Sequence, residues 1–505
     1  MDDVMEKVVS KTSKRRQSTG HDSKPQAGDT ELLATLGYKQ ELRRHYSTLQ
    51  IFAVAFSIMG LLPSIASTLS FSMPADGFAS MLLSVISLAR DGNWSATRPV
   101  IYGTYAATVF AHGFIAIFFA RMMPRIQSAC IFLNIALVVA TVIALPIGKA
   151  KNSPPVNRGS YVFGDLENLT TWPTGWAFIL AWLSPIWTIG AFDSCVHMSE
   201  EATHAARAVP LGIISSAGLC GLLGFFSLAV IASSMDKNID GILNSKFGQP
   251  MTQIYYDALG KNGAMGFMVV VMIVQFFMGL SIVSPSSPTD PTPKPEPITH
   301  PLTQVLAASR QSWAFSRDGA LPLSSFFRKV SQRKLIRYQP VRMVCGIVVA
   351  SVIIGLLCLI DEAASSALFS LAVAGNDLAW LIPILARLLW GGDNFVPGEF
   401  YTGKYLSKPI GWVAVIYMMF VIVLTMIPTG GPNPSREFDL YYLVMGAFAD
   451  CAIEAQNMNY TVVINGSLWL GAMVYYYVHA RKTYRGPQTT VSPEDEGKNL
   501  EQDSK

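Results

Sequence analysis

Residues 176–196 are apolar and long enough to cross a bilayer, yet they hold Pro185, Gly190 and Asp193. Proline removes a helical hydrogen bond and glycine weakens a helix, so the segment breaks near its middle. A carboxylate at membrane depth is costly unless it faces protein or a water-filled cavity. Asp193 therefore reads as a counter-charge for a cationic amine or as a proton carrier, against the plainer role of a helix-capping carboxylate. His197 follows one turn on and fits either a proton relay or a hydrogen-bonded structural histidine. Glu200 and Glu201, followed by Arg207, read as an ion-pair cluster at a helix end, not as a catalytic pair.

A second broken segment lies upstream. Gly60-Leu61-Leu62-Pro63-Ser64-Ile65 interrupts an apolar run, with Ser67 and Thr68 just beyond. A half-helix starting near Pro63 presents unpaired N–H groups and a positive dipole end, which suits a substrate carboxylate or another electron-rich group. The alternative is a proline kink with hydroxyls bonded back to carbonyls. In residues 364–390, Asn376 and Asp377 face other helices, either lining a path or locking a gate. Gly218, Gly221 and Gly224 favour close helix contact, which is packing and not a site. No phosphate-binding loop, no His-Glu-x-x-His and no nucleophile elbow occurs, so no ATP-driven pump, no metal site and no hydrolase is expected. No cofactor and no nucleic-acid partner is implied.

The elements that must position these residues are membrane helices. Of 505 residues, 51% are hydrophobic and only 14% charged, against about 25% charged in soluble proteins. Apolar spans of helix length recur near 49–73, 102–120, 126–148, 176–196, 211–235, 264–284, 341–360, 364–390, 409–428 and 462–480, about ten in all. Residues 1–46 form a polar, basic tail without a cleavable signal peptide, the transporter core spans 47–480, and 481–505 form a short polar tail. The six cysteines lie mostly in apolar runs, without metal-like or disulfide-like spacing. The loop 309–342 carries Arg310, Arg317, Arg328, Lys329, Arg333, Lys334, Arg337 and Arg342 against Asp318 alone. Positive loops stay inside, so this loop and both termini are expected to be cytoplasmic. The sequons at Asn93, Asn168 and Asn459 then fall outside, where glycans are added. A membrane helix broken and polar at mid-depth is how secondary transporters build a substrate site.

The strings Gly60-Leu-Leu-Pro-Ser-Ile-Ala-Ser-Thr-Leu, Thr188-Ile-Gly-Ala-Phe-Asp-Ser-Cys-Val-His-Met-Ser-Glu-Glu, Arg207-Ala-Val-Pro and Ser309-Arg-Gln-Ser-Trp-Ala-Phe-Ser-Arg-Asp-Gly-Ala-Leu-Pro resemble the fungal amino acid, GABA and choline permeases. These belong to the amino acid–polyamine–organocation superfamily. The resemblance covers most of residues 38–485. It implies an all-α polytopic membrane protein with a LeuT-like inverted-repeat fold of twelve helices, with helices one and six unwound at the substrate site. Carried onto this chain, the substrate site takes in Gly60, Leu61, Pro63, Ser64, Ile65, Thr188, Gly190, Ala191, Phe192, Asp193 and Asn376, with Asp193 and His197 as proton-coupling residues. Small amines or amino acids such as GABA or choline, protons and the lipid bilayer are the implied partners, and the plasma membrane the implied location. Phe192, Trp187 and Trp380 are available for an aromatic cage around a quaternary ammonium.

The chain departs from that pattern in three places. About eighty residues, comprising helix two and most of helix three, are missing after Leu69, and the apolar stretch 78–89 is a stub too short to span. A proline-rich stretch, 284–304, and an acidic stretch, 436–456, are added. One deletion and two in-frame insertions fit a mis-spliced or mispredicted gene product. In the inverted-repeat fold helix three lines the substrate path and helix two packs on helices one and six, so a chain without them is expected to transport poorly. A non-functional or dominant-negative variant, and a transporter-like nutrient sensor, are the alternative readings.

Overall fold

A computed structural model describes residues 47–69, 77–119, 123–152, 155–165, 167–168, 170–197, 199, 202–283, 307–329, 331, 340–359, 362–391, 397–427 and 461–484. The tails 1–46 and 485–505, the stretches 284–304 and 436–456, and Glu200, Glu201 and Asn459 lie outside the described residues. Leu42–Gln488 forms one unit; the second, Met1–Glu41 with Thr489–Lys505, falls among the residues not described.

Every regular element among the described residues is helical. In chain order they are α1 (Thr48–Met59), α2 (Leu61–Leu69), α3 (Gly77–Ala89), α4 (Arg98–Phe118), α5 (Met123–Asn152), α6 (Gly159–Gly164), α7 (Thr174–Ala181), α8 (Leu183–Ile189) and α9 (Ser194–His197). There follow α10 (Ala205–Ser234), α11 (Ile239–Leu243), α12 (Pro250–Val283), α13 (Ala307–Arg317), α14 (Ser324–Phe327), α15 (Val341–Gly355), α16 (Glu362–Trp390), α17 (Lys404–Thr425), α18 (Thr461–Tyr475) and α19 (Arg481–Thr483). Among the described residues, eight helical runs are long and apolar enough to cross a membrane: Thr48–Leu69, Arg98–Phe118, Ala129–Asn152, Thr174–His197, Ala205–Ser234, Pro250–Leu280, Ser370–Trp390 and Lys404–Thr425. Two expected spans take other forms. Residues 341–360 make the shorter α15 and a 3₁₀ turn, Leu356–Leu359, and 462–480 make α18 and a π turn, Tyr476–Ala480. Phe110, Phe114, Phe132, Ile143, Phe225 and Ile416 are exposed, as a lipid-facing belt requires. This is an all-α polytopic membrane architecture.

One span sits at the centre. In the apolar 18-residue stretch of Thr48–Leu69, 78% of the residues are buried, against 17–33% in the corresponding stretches of the other spans. Small residues on α10 make that enclosure possible. Ala208, Gly212, Ser216, Cys220 and Gly224 recur every fourth residue and are buried. A Cβ on Gly212 would come within 2.9 Å of the Ile51 side chain, so the contact admits nothing larger. This stripe, and not Gly218 or Gly221, makes the close approach: Gly218 meets nothing within 4 Å. Gly224 alone of the expected trio belongs to it.

The stub α3 has 13 residues, about 20 Å of helix, short of the ~30 Å apolar core of a bilayer. Its serines are satisfied by the segment before and within α12. Gln249 Nε2 donates to Ser80 Oγ at 3.0 Å, the Ser84 and Thr252 hydroxyls pair at 3.1 Å, and Ser87 Oγ donates to the Lys246 carbonyl at 3.2 Å. Lys261 pairs with Asp91 at 2.5 Å just beyond the stub. The helix α12 itself turns sharply at Gly260, whose φ of 73° and ψ of 177° only glycine adopts readily. Its outer arm, from Pro250, is buried and not a surface loop: Met251, Thr252, Tyr255 and Ala258 are fully enclosed, and the Tyr255 hydroxyl meets Thr141 on α5 at 2.8 Å.

Candidate substrate site between two broken helices

The first break is at Gly60. With φ 48° and ψ 61° it is left-handed, a conformation that costs other residues about 1 kcal/mol or more, and it ends α1. Its amide donates to the Phe56 carbonyl at 3.3 Å, and its own carbonyl accepts from Ser64 N–H at 2.8 Å to start α2. Pro63 does not cause the break. It lies in the first turn of α2, where a missing N–H costs nothing because that donor has no helical partner anyway. The α2 hydroxyls are bonded locally: Ser64 Oγ to the Met59 carbonyl at 2.6 Å, Ser67 to Ser64 at 2.8 Å and Thr68 to Ile65 at 3.0 Å. The polypeptide is therefore unwound there and the serines brace it. Leu61, Pro63, Ser64 and Ile65 are all buried.

Met278, on α12, closes this break. A Cβ on Gly60 would collide with its Sδ, and Ser64 Oγ points at the same sulfur from 3.9 Å. Sequence reasoning missed Met278, because nothing marks one methionine in a long apolar helix as the neighbour of a distant glycine.

The second break has two steps. The helix turns at Trp182, resumes as α8, then tightens to a 3₁₀ turn over Gly190–Asp193 in which Ala191 leaves helical geometry (φ −94°, ψ 18°). Thr188 is buried and its hydroxyl donates to the Ser184 carbonyl at 3.0 Å; Ser194 caps the turn by donating to the Ala191 carbonyl at 2.8 Å. Gly190 faces open space, with nothing within 4 Å of where a Cβ would sit. Asp193 and His197 come together: Oδ2 lies 3.5 Å from Nε2, with the side chains 27% and 21% exposed. The acid is partly enclosed and has a titratable neighbour, and is not turned out to bulk solvent.

The two breaks meet. Ala191 packs against both the core cluster that holds Phe56, Leu61 and Leu62 and the one that holds Ile51, Val54, Ala55 and Ile58, and the Cys195 thiol reaches the Ile51 carbonyl at 3.8 Å. Phe192 carries the site across to α16, where its ring centroid is 4.5 Å from that of Trp380. Asn376 lies one turn before Trp380 on that side of α16 and is exposed; Asp377 is buried, 3% exposed, with Oδ2 unpartnered. The structure thus assembles Gly60, Leu61, Pro63, Ser64 and Ile65 with Thr188, Gly190, Ala191, Phe192 and Asp193. It joins Trp380 to them directly and Asn376 only through shared position on α16. The arrangement offers an aromatic wall, a carboxylate and open space beside a flexible glycine, which is what an ammonium group requires.

Outside the spans, the sequon Asn168 is folded into a turn: its Oδ1 accepts from Thr170 N–H at 3.0 Å and from Thr170 Oγ1 at 2.7 Å. Asn93 is exposed. In the same region Tyr161 lies under Lys237, with Nζ 5.4 Å from the ring centroid. Burial, with Glu167, Asp165 and Asp236 close by, raises the Tyr161 hydroxyl above its ordinary pKa.

A family model described as amino acid permease matches residues 46–449, which contain both breaks. The chain belongs to the amino acid permease family. It is a transmembrane amino acid transporter of the amino acid–polyamine–organocation superfamily, not an enzyme. This amino acid permease is 36% identical to the GABA-specific permease of Saccharomyces cerevisiae, over 94% of this chain and 88% of the relative. An uncharacterized amino-acid permease of Schizosaccharomyces pombe is 28% identical, over 93% of this chain and 91% of that one. A second from the same yeast is 26% identical, over 93% and 90%. The alignment to the GABA-specific permease has 547 positions, whereas 94% of 505 residues is about 475, so about 72 positions have no residue in this permease.

Proposed function

We propose that this permease family site carries a small amine or amino acid, with GABA and choline as the first candidates, in symport with protons across the plasma membrane, both termini being cytoplasmic. The observation that carries the reading is the meeting of the two breaks, with Asp193 and His197 partly enclosed beside open space at Gly190. The name of the Saccharomyces cerevisiae relative puts GABA ahead of choline. The Asp193–His197 pair supplies a carboxylate for the ammonium and a neighbouring group able to hold a proton.

A second reading has its own observation in support: this chain lacks a wall and transports poorly. In an inverted repeat the two broken helices should be similarly enclosed, yet 78% of the residues in the apolar stretch of Thr48–Leu69 are buried and only 17% in that of Thr174–His197. Phe178, Trp182 and Val196 are exposed along the latter. Loss of helix two and most of helix three between α2 and α3 accounts for that bare flank, for the short α3 and for the unmatched alignment positions. The test is uptake of labelled GABA, choline and an amino acid panel, with and without a protonophore. It is run on this chain beside a version carrying the missing segment from a relative. Protonophore-sensitive uptake by the restored version and little by this chain is expected. Absence of uptake by the restored version refutes the substrate class, and full uptake by this chain refutes the missing wall.

A further inference from the structure

We propose that the loop between α12 and α15 carries a docking surface for anionic phospholipid headgroups of the cytoplasmic leaflet, built from Arg328, Lys329 and Arg342 around the exposed side chains of Leu323 and Phe326. The inference rests on the orientation proposed above, in which this loop, like both termini, is cytoplasmic, and not on the identity of the substrate. Loop charge alone orients a membrane protein without making a site. The placement of these three cations does more.

The short helix α14 is fixed against the start of α15. Phe327 turns inward, where a Cβ on Gly346 would stand 2.7 Å from its ring. From the other side, Trp313 on α13 donates through Nε1 to the Arg328 carbonyl at 3.2 Å. The neighbouring ring, Phe326, stands nearly perpendicular to Phe327, at 82°, and is 49% exposed; Leu323, just before α14, is 71% exposed. Arg342 reaches over from α15. Its Nη1 donates to the Phe326 carbonyl at 3.4 Å, and its Cζ lies 4.6 Å from the centroid of the Phe326 ring. A guanidinium has five N–H donors, so this contact leaves others for a ligand. Arg328, Lys329 and Arg342 are all exposed. Among the described residues no carboxylate pairs with any of the three. Asp318, the single acid of the loop, faces Arg317, with Oδ1 3.7 Å from Nε.

The depth of this cluster follows from α15. Arg342, Cys345, Val349 and Ile353 are spaced three, four and four residues apart, which puts them on one face of the helix, and all four are exposed. Val349 and Ile353 give that face to lipid, and Arg342 stands at its cytoplasmic end, about 10 Å along the helix before Val349. There the acyl region gives way to phosphates. Cations and exposed apolar side chains at this level match the two parts of a phospholipid: Leu323 and Phe326 enter the upper acyl region while the guanidinium and ammonium groups meet phosphate. A soluble anion engages the cations alone and leaves the leucine and the ring in water, so the combination selects a lipid.

The test uses the purified full chain in nanodiscs of phosphatidylcholine with a smaller share of phosphatidylserine that carries a photoactivatable group near the headgroup. Adducts are mapped by mass spectrometry. They are expected on the peptides holding residues 323–329 and 342–349, and unlabelled phosphatidylserine should compete about tenfold better than phosphatidylcholine, less so as salt is raised. The combined Arg328→Gln, Lys329→Gln and Arg342→Gln chain should bring the two competitors to within about twofold of each other. The adduct map comes from the unmutated chain, so a folding failure of the variant leaves an answer. Adducts spread evenly over the exposed helix faces, or equal competition by the two lipids, overturn the site. So does competition by soluble glycerophosphoserine as strong as by the lipid, which marks a site for free anions. Nanodiscs offer the same lipid to both faces, so failure here leaves the orientation and the transport reading intact.

Discussion

The two broken helices do the same thing to the backbone and opposite things to their surroundings. At Gly60 the unwound turn is sealed: a left-handed glycine, serine hydroxyls returned to nearby carbonyls, and a methionine pressed against the Cα. At Gly190–Asp193 the turn is open: no neighbour over the glycine, a carboxylate and an imidazole 3.5 Å apart, and a flank left bare. One break is held by packing and the other leaves chemistry available. A transporter needs both, because a site with two loose breaks does not hold a shape and one with two sealed breaks does not admit a ligand.

Substitutions should separate these roles. Gly60→Val meets the left-handed backbone and the Met278 sulfur together, so it should cost the most. We expect a loss on the order of 2–4 kcal/mol, read as a fall in thermal stability and in surface expression. Asp193→Asn should leave the fold unchanged and weaken binding of an ammonium substrate about 10- to 100-fold, the worth of one charge-assisted contact, in an equilibrium binding assay. Gly190→Ala is the mirror of the Gly60 change. With open space over the glycine, its melting temperature should not fall, while the added methyl reduces substrate affinity by about tenfold. Ser64→Ala removes the brace to the Met59 carbonyl and should cost about 1 kcal/mol of stability with little change in substrate preference. Equal stability losses at Gly60 and Gly190 would erase the distinction.

Much of this was legible in the residues because breaks are local chemistry. Glycine, proline and an acid inside an apolar run mark an interruption wherever the run ends up, and both interruptions are present. The errors are instructive. Gly60 and Pro63 both read as breakers, but a proline in a first helical turn is harmless, and the glycine alone sets the geometry. Gly218 and Gly221 look like a contact, but α10 presents a stripe at fourfold spacing through Gly212 and Ser216 to the central helix. The span read from 264 begins in the structure at Pro250: the arm that carries Tyr255, Tyr256, Asp257 and Lys261 is helical and is buried against α3 and α5. The place of Met278 over Gly60 and of His112 against Phe276 and Gly279 depends on which helices lie side by side, which no local pattern states.

The most direct test of the account is thiol labelling at Gly190→Cys in a background without the native cysteines, with an exposed Asn93→Cys chain as control. If the open space beside this glycine is where the solute sits, GABA or another transported amine should slow labelling at position 190 and leave position 93 unaffected. Labelling at 190 that proceeds at one rate with and without every member of the amine and amino acid panel would contradict it.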